Sequence, residues 1–189
     1  TGDFGITQQG EGTVTLSGLS ATAANNYTGT TIIDQGTLAI TTTSPAFNGG
    51  LTFGAAAGNA NVGVLDLSAA SATYTGAFLA QNTSASANSI IIGSGQTLQL
   101  NGAVTVGYNS AVGSTTKLAG TGLGTLAIGT SGTPINANVQ IGNGQGNNVG
   151  NAGTLDLGGL SAFNAYLGTG TFRVGSTVNS GGGTGGAGG

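Results

Sequence analysis

The chain is built from short runs in which aliphatic residues alternate with threonine, serine or glutamine, and each run stops at glycine or asparagine. Residues 10–40 show the unit most clearly, as Gly12-Thr13-Val14-Thr15-Leu16 and again as Gly36-Thr37-Leu38-Ala39-Ile40. Alternation with a period of two predicts a β-strand with one buried and one outward face. Because a Gly-Thr-x-x-Leu order recurs more loosely to the end of the chain, the pattern predicts a repetitive all-β architecture.

Twelve strands are predicted on this basis. No helix is predicted, because threonine and glycine are poor helix formers and no charged amphipathic face is present. The predicted strands are Thr13–Leu16, Thr30–Ile33, Thr37–Ile40, Leu51–Phe53, Val62–Leu67, Ser89–Ile92, Thr97–Leu100, Val104–Val106, Thr125–Ile128, Asn138–Ile141, Thr154–Leu157 and Thr171–Val174. Most are followed within two residues by glycine, which predicts tight corners.

A second internal similarity links two segments that lie 90 positions apart, Asn61–Ser68 with its Leu-Asp-Leu run and Asn151–Gly158 with the same run. We interpret this as one coil, or a group of coils, that has been copied in a solenoid stabilised by stacking. At roughly 20–25 residues per coil, the chain is expected to form a β-solenoid of about eight coils, a rod about 40 Å long. Residues 1–180 are expected to form this solenoid, and the glycine-rich residues 181–189 a flexible tail or linker.

Composition excludes several classes of function. The two basic residues, Lys117 and Arg173, against five acidic ones give a net charge of −3, whereas nucleic-acid binding requires a basic patch. No apolar run is long enough for a membrane-spanning helix. The chain has no Cys, Met, Trp or His, which removes disulfides, thiolate and imidazole catalysis and most transition-metal sites. Neither nucleic acid, nor a membrane span in this segment, nor a cofactor is therefore expected.

The unit at residues 10–40 resembles the autotransporter-associated β-strand repeat, the passenger-associated repeat of bacterial autotransporter proteins. The resemblance rests on Gly12–Gly18, Asn25–Ile32 and Gly36–Ile40, and covers about a sixth of the chain. The chain departs from the repeat by lacking one glycine of a Gly-Gly pair and by an alanine-rich insertion at Ala21–Ala24. The resemblance implies a right-handed parallel β-helix that is secreted to the cell surface, in which the repeat is scaffold rather than active site.

Candidate catalytic and metal-binding residues are few. A Ser–Lys dyad is formally open because Lys117 exists, although a lone lysine at a strand start is more simply a surface residue. Asp66 and Asp156 are the best candidates for the paired carboxylates of a polysaccharide-degrading enzyme, which lie about 5–9.5 Å apart; their equivalence in the copied segment favours a turn feature instead. Asp34, Asp66 and Asp156 are too scattered in the sequence to form the oxygen cage that calcium needs. No catalytic, cofactor-binding or metal-binding residue is assigned.

Three surface properties remain as alternatives. An adhesin or glycan-binding surface would place aromatic side chains such as Tyr74, Tyr108 and Tyr166 along an outer groove. Outward threonine pairs, Thr13 with Thr15 and Thr28 with Thr30, raise ice binding, although the high β propensity of threonine explains them equally well. The sequons at Asn26 and Asn82 are interpreted as chance matches in a chain rich in asparagine and threonine.

The sequence therefore predicts a structural β-solenoid that is extracellular or on the cell surface, and not an enzyme. Nothing at either end of the predicted solenoid is typical of a polar cap, so unpaired strand edges are expected there. We accordingly expect either continuation into more repeats or end-to-end association of copies into a fibre. Glycans, or host or neighbouring surfaces, are alternative partners.

Overall fold

The computed structural model describes residues 4–17, 28–42, 45–56, 59–108, 115–143 and 152–175. These residues form eighteen short strands and no helix: β1 (Ile6–Gln8), β2 (Thr13–Leu16), β3 (Thr31–Ile33), β4 (Gly36–Ile40), β5 (Ala46–Phe47), β6 (Leu51–Phe53), β7 (Gly63–Leu67), β8 (Ala72–Tyr74), β9 (Phe78–Ala80), β10 (Asn88–Ile92), β11 (Thr97–Leu100), β12 (Val104–Tyr108), β13 (Thr115–Thr121), β14 (Thr125–Ile128), β15 (Val139–Asn143), β16 (Ala152–Asp156), β17 (Ala162–Ala165) and β18 (Phe172–Val174). No helix in these ranges could cross a membrane.

Three sheets form the faces of a rod, and every strand pair within them is parallel. Their orders are β1-β3-β6-β9-β12-β15-β18, β2-β4-β7-β10-β13-β16 and β5-β8-β11-β14-β17. The chain passes once through each face and then returns to the first face one level further along, as from β3 through β4 and β5 to β6. This is a parallel β-helix, and the predicted fold class is confirmed.

Coil length varies along the rod and is greatest in the last two coils. Thr31 pairs with Leu51, 20 residues later, whereas Val104 pairs with Val139, 35 residues later. The predicted 20–25 residues per coil is therefore too short for the later coils. The seven-stranded sheet contains seven levels, which corresponds to about 29 Å between its first and last strands.

Each of the twelve predicted strands coincides with an observed strand to within two residues at either end. Six strands were not predicted: β1, β5, β8, β9, β13 and β17. Several of these are rich in alanine, glycine or asparagine, which have low β propensity. They form strands because their backbones pair with strands of the neighbouring levels on one or both sides. The local sequence pattern does not indicate this effect of stacking.

The interior is made of rows of side chains that run along the rod axis. In the seven-stranded sheet two such rows point inward: one is Ile6, Thr31, Leu51, Phe78, Val104, Val139 and Phe172, and the other is Gln8, Ile33, Phe53, Ala80, Val106, Ile141 and Val174. Between the two ends these rows are almost wholly apolar and fully buried. Burial of a few aliphatic side chains per level, repeated at every level, is the main stabilising contribution in such a rod.

Glycine recurs at one corner of the seven-stranded sheet, at the position directly after the inward row that contains Phe53 and Val106. Gly54, Gly107, Gly142 and Gly175 all have positive φ, between 78° and 90°. A side chain rarely adopts this conformation, so the corner selects glycine.

Two predicted features lie outside the described residues, namely the glycine-rich tail 181–189 and the alanine-rich insertion Ala21–Ala24.

Candidate functional site

The two candidate catalytic carboxylates do not meet. Asp66 on β7 and Asp156 at the end of β16 each accept a hydrogen bond at Oδ1 from the backbone N–H two residues on, Ser68 at 2.8 Å and Gly158 at 2.9 Å. Since β10 and β13 lie between β7 and β16, the two aspartates are about 14 Å apart along the axis. That separation exceeds the spacing of glycosidase carboxylates, and the repeated turn accounts for both residues structurally.

Asp34 is buried at a corner and is held by N–H groups. Its Oδ1 accepts hydrogen bonds from the backbone N–H of Ala55 and from Asn59 Nδ2, both at 2.7 Å, and its Oδ2 accepts one from Asn61 Nδ2 at 2.9 Å. These charge-assisted bonds offset the cost of burying a carboxylate. Within the described ranges no three Asp, Glu, His or Cys side chains converge on a possible metal position, and the three candidate calcium ligands are not brought together.

The Asp34 cluster continues into a buried amide pair one level further along. Asn82 and Asn88 exchange hydrogen bonds between their side-chain amides. Asn88 Oδ1 also accepts from the backbone N–H of Gly63 at 3.0 Å, while Asn88 Nδ2 donates to the carbonyl of Lys117 at 3.2 Å. Asn82 Nδ2 donates to the carbonyl of Asn61. The corner between the seven- and six-stranded sheets is thus filled by one connected polar network.

Sequence reasoning treated these asparagines as corner residues and missed the network. The available pattern was their recurrence ahead of successive strands, Asn59 and Asn61 before β7 and Asn82 before β10. The side chain of Asn82 is only 1% exposed, so the sequon there is inaccessible and its interpretation as a chance match is supported. The sequon at Asn26 lies outside the described residues.

An open cleft of about 310 Å³ lies at the same corner and is lined by Thr83, Ser84, Ala85, Thr115 and Lys117. Lys117 Nζ donates to the carbonyl of Ala85 at 2.8 Å, and Ser84 Oγ accepts from the backbone N–H of Ser86 at 3.2 Å. In a Ser–Lys dyad the lysine amine must instead take the serine proton. The cleft brings the lysine near a serine but does not arrange the two as nucleophile and base.

Tyr74 does not lie in the outer aromatic groove that the adhesin alternative would require. Its side chain is fully buried, and its ring stacks on Phe47 with centroids 4.7 Å apart. The period-two pattern of β8 turns Tyr74 inward, because Thr73 occupies the outward position between Ala72 and Tyr74. Tyr166 is 40% exposed, and the side chain of Tyr108 lies outside the described part.

The family model described as Passenger-associated-transport-repeat matches residues 6–40. These residues hold β1 to β4, which are two successive levels of two sheets. Residues 6–40 are a passenger-associated-transport-repeat. No curated protein and no solved structure is significantly similar to the chain.

The passenger-associated-transport-repeat contains the stacking contact on which the rod is built. Within it β2 lies in register on β4, with Thr13 beside Thr37 and Leu16 beside Ile40. Beyond residue 40 the same contact recurs at every level with a looser sequence. The chain is therefore a parallel β-helix that contains a match to the passenger-associated-transport-repeat at residues 6–40.

Proposed function

We propose that the chain is a structural scaffold of an extracellular or cell-surface passenger: a rod whose stacked coils carry the corner loops. The observation that supports this most strongly is the continuity of the inward rows through all seven levels of the largest sheet. The stability of a solenoid with this organisation is a sum of contributions from its stacking contacts. Its function is to provide a long and stiff support.

The polar groups of the described residues support the same proposal. Asp66 and Asp156 close turns, Asp34 and its asparagines fill a corner, and Lys117 holds a loop through the carbonyl of Ala85. Each of these four charged side chains thus has a structural hydrogen bond. The burial of Tyr74 removes it from the outer groove that the adhesin alternative requires, and no other observation favours that alternative.

Surface exposure and lack of hydrolysis test this function together. On intact cells of the producing organism, added protease and an antibody raised against the chain should both reach it, because a scaffold of this kind works outside the cell. The purified chain should release no reducing ends from polysaccharides, and Asp66→Asn and Asp156→Asn should each change stability by less than about 0.5 kcal/mol, since asparagine Oδ1 still accepts the turn hydrogen bond. Antibody access only after lysis, or a hydrolytic activity lost in either variant, contradicts the proposal.

A further inference from the structure

Core positions are left uncovered at the two ends of the described rod. Val14 belongs to the inward row of Leu38 and Leu65, yet it is 40% exposed, because no described strand precedes β2. Phe172 and Val174 close the two inward rows of the seven-stranded sheet and are 46% and 51% exposed. Apolar side chains in rows that are buried elsewhere along the rod are thus exposed to solvent at both ends.

The backbone at these ends is also unpaired. Strands β1, β2 and β5 at the N-terminal end, and β16, β17 and β18 at the C-terminal end, each have a described partner strand on one side only. Natural edge strands are usually guarded by inward-pointing charges, proline or lysine. The two charged residues in these six strands, Asp156 and Arg173, are exposed rather than inward. Within the described residues, none of the six edge strands carries such a guard.

One strand pair within the chain illustrates the contact that two such ends would make. Strand β2 stacks on β4 in parallel, Gly-Thr-x-x-aliphatic on Gly-Thr-x-x-aliphatic, with Val14 beside Leu38. At the opposite end β16 presents the same order, from Gly153-Thr154 to Leu157. The sequence order of β16 therefore matches that of β4, the strand with which β2 pairs within the chain.

Direction and charge favour contact between unlike ends. Contact between two like ends would make the meeting strands antiparallel, whereas every pair in the described sheets is parallel, and only head-to-tail contact continues that pattern. The described charge at the N-terminal end is Glu11, and the C-terminal end carries Arg173 together with Asp156. Head-to-head contact brings two glutamates together, while head-to-tail contact brings Glu11 to the end that holds the arginine.

We propose that the C-terminal end of one copy of this chain stacks on the N-terminal end of a second copy by parallel strand pairing. The inference rests on the proposed scaffold function and names its partner. An interface between unlike ends does not close on itself, so repeated addition produces a filament along the rod axis.

Three lysine variants of the full chain test this proposal. Val14→Lys blocks the N-terminal end and Val174→Lys the C-terminal end. The matched control is Leu123→Lys, because Leu123 is 65% exposed but lies on the side of the rod, between β13 and β14. Sedimentation over a wide concentration range should show growing assemblies for wild type and for Leu123→Lys. Each end variant should need at least about tenfold more protein to associate, the equivalent of about 1.4 kcal/mol.

Mixing the two end variants distinguishes the mode of contact. Val14→Lys keeps a free C-terminal end and Val174→Lys a free N-terminal end. At the concentration at which the wild type assembles, the two together should form a dimer that cannot grow, while each alone stays monomeric. Circular dichroism of each variant checks that the β-helix is retained. The inference is overturned if the wild type is monomeric at every concentration, if either end variant alone associates at the same concentration as the wild type, or if Leu123→Lys blocks assembly equally. A monomeric wild type that is nevertheless exposed on cells removes this inference and leaves the scaffold function standing.

Discussion

Replacing Phe53 by alanine is expected to lower the free energy of unfolding by about 3–5 kcal/mol. Phe53 is fully buried in β6, between Ile33 and Ala80 of an inward row, and its ring lies 6.0 Å from that of Phe78. A rod of stacked coils has little material around each core position, and the levels above and below are held by their own strand pairs. The cavity left by the ring therefore cannot collapse without breaking those pairs.

Phe4→Ala is the matched control, because the same side chain is 66% exposed ahead of β1. Its effect should stay within about 0.5 kcal/mol. Denaturant unfolding of both variants, followed by circular dichroism, gives the comparison. Equal losses in the two variants would contradict the placement of the inward rows.

Asn88→Asp should destabilise the protein by at least about 3 kcal/mol at pH 7, although the two side chains have the same shape. Asn88 Nδ2 donates to Asn82 Oδ1 and to the carbonyl of Lys117. The substitution replaces this donor by an oxygen that faces two acceptors, and it adds a charge at a position with no exposed surface. Lys117 contributes only its backbone carbonyl to this network, while its Nζ donates to the carbonyl of Ala85.

The loss in Asn88→Asp should depend on pH. Burial raises the pKa of the introduced carboxyl in the folded state above about 3.9, its value in the unfolded chain. The folded state then binds the proton more tightly, so the deficit should shrink as the pH falls from 7 towards about 4. Asn101→Asp is the control: Asn101 is exposed and its Oδ1 accepts from Gln99 Nε2 at 2.9 Å, which aspartate preserves. Equal stability of the two variants at pH 7, in chemical unfolding, would contradict the buried network.

The fold could be predicted because its information is local. In a run such as Thr97–Leu100, the alternation of four residues indicates which side chains point inward. Stacking requires only that the strand of the next level has the same alternation. The strands that were missed depend on neighbours instead. Ala162–Ala165 has little β propensity of its own and forms β17 because β14 offers it a paired edge.

The polar corner could not be predicted for a related reason. Asn82 and Asn88 are six residues apart in sequence, but their other partners lie one level away on either side, at Gly63 and in the backbone of Lys117. Such contacts depend on coil length, which varies from level to level and leaves no fixed spacing in the sequence. The inward position of Tyr74 could not be predicted either, because the short strand β8 that sets it was not recognised from the sequence.

The central claim is that one outward row of the seven-stranded sheet advances by a single strand spacing per level. The chain has no cysteine, so spin labels can be placed as pairs at Thr7 with Thr105, Thr7 with Gln140 and Thr7 with Arg173, all members of that row. Pulsed electron paramagnetic resonance should give narrow distributions near about 19, 24 and 29 Å, a rise of about 4.8 Å per level. Broad distributions, or distances that do not increase in this order, would contradict the stacked parallel β-helix.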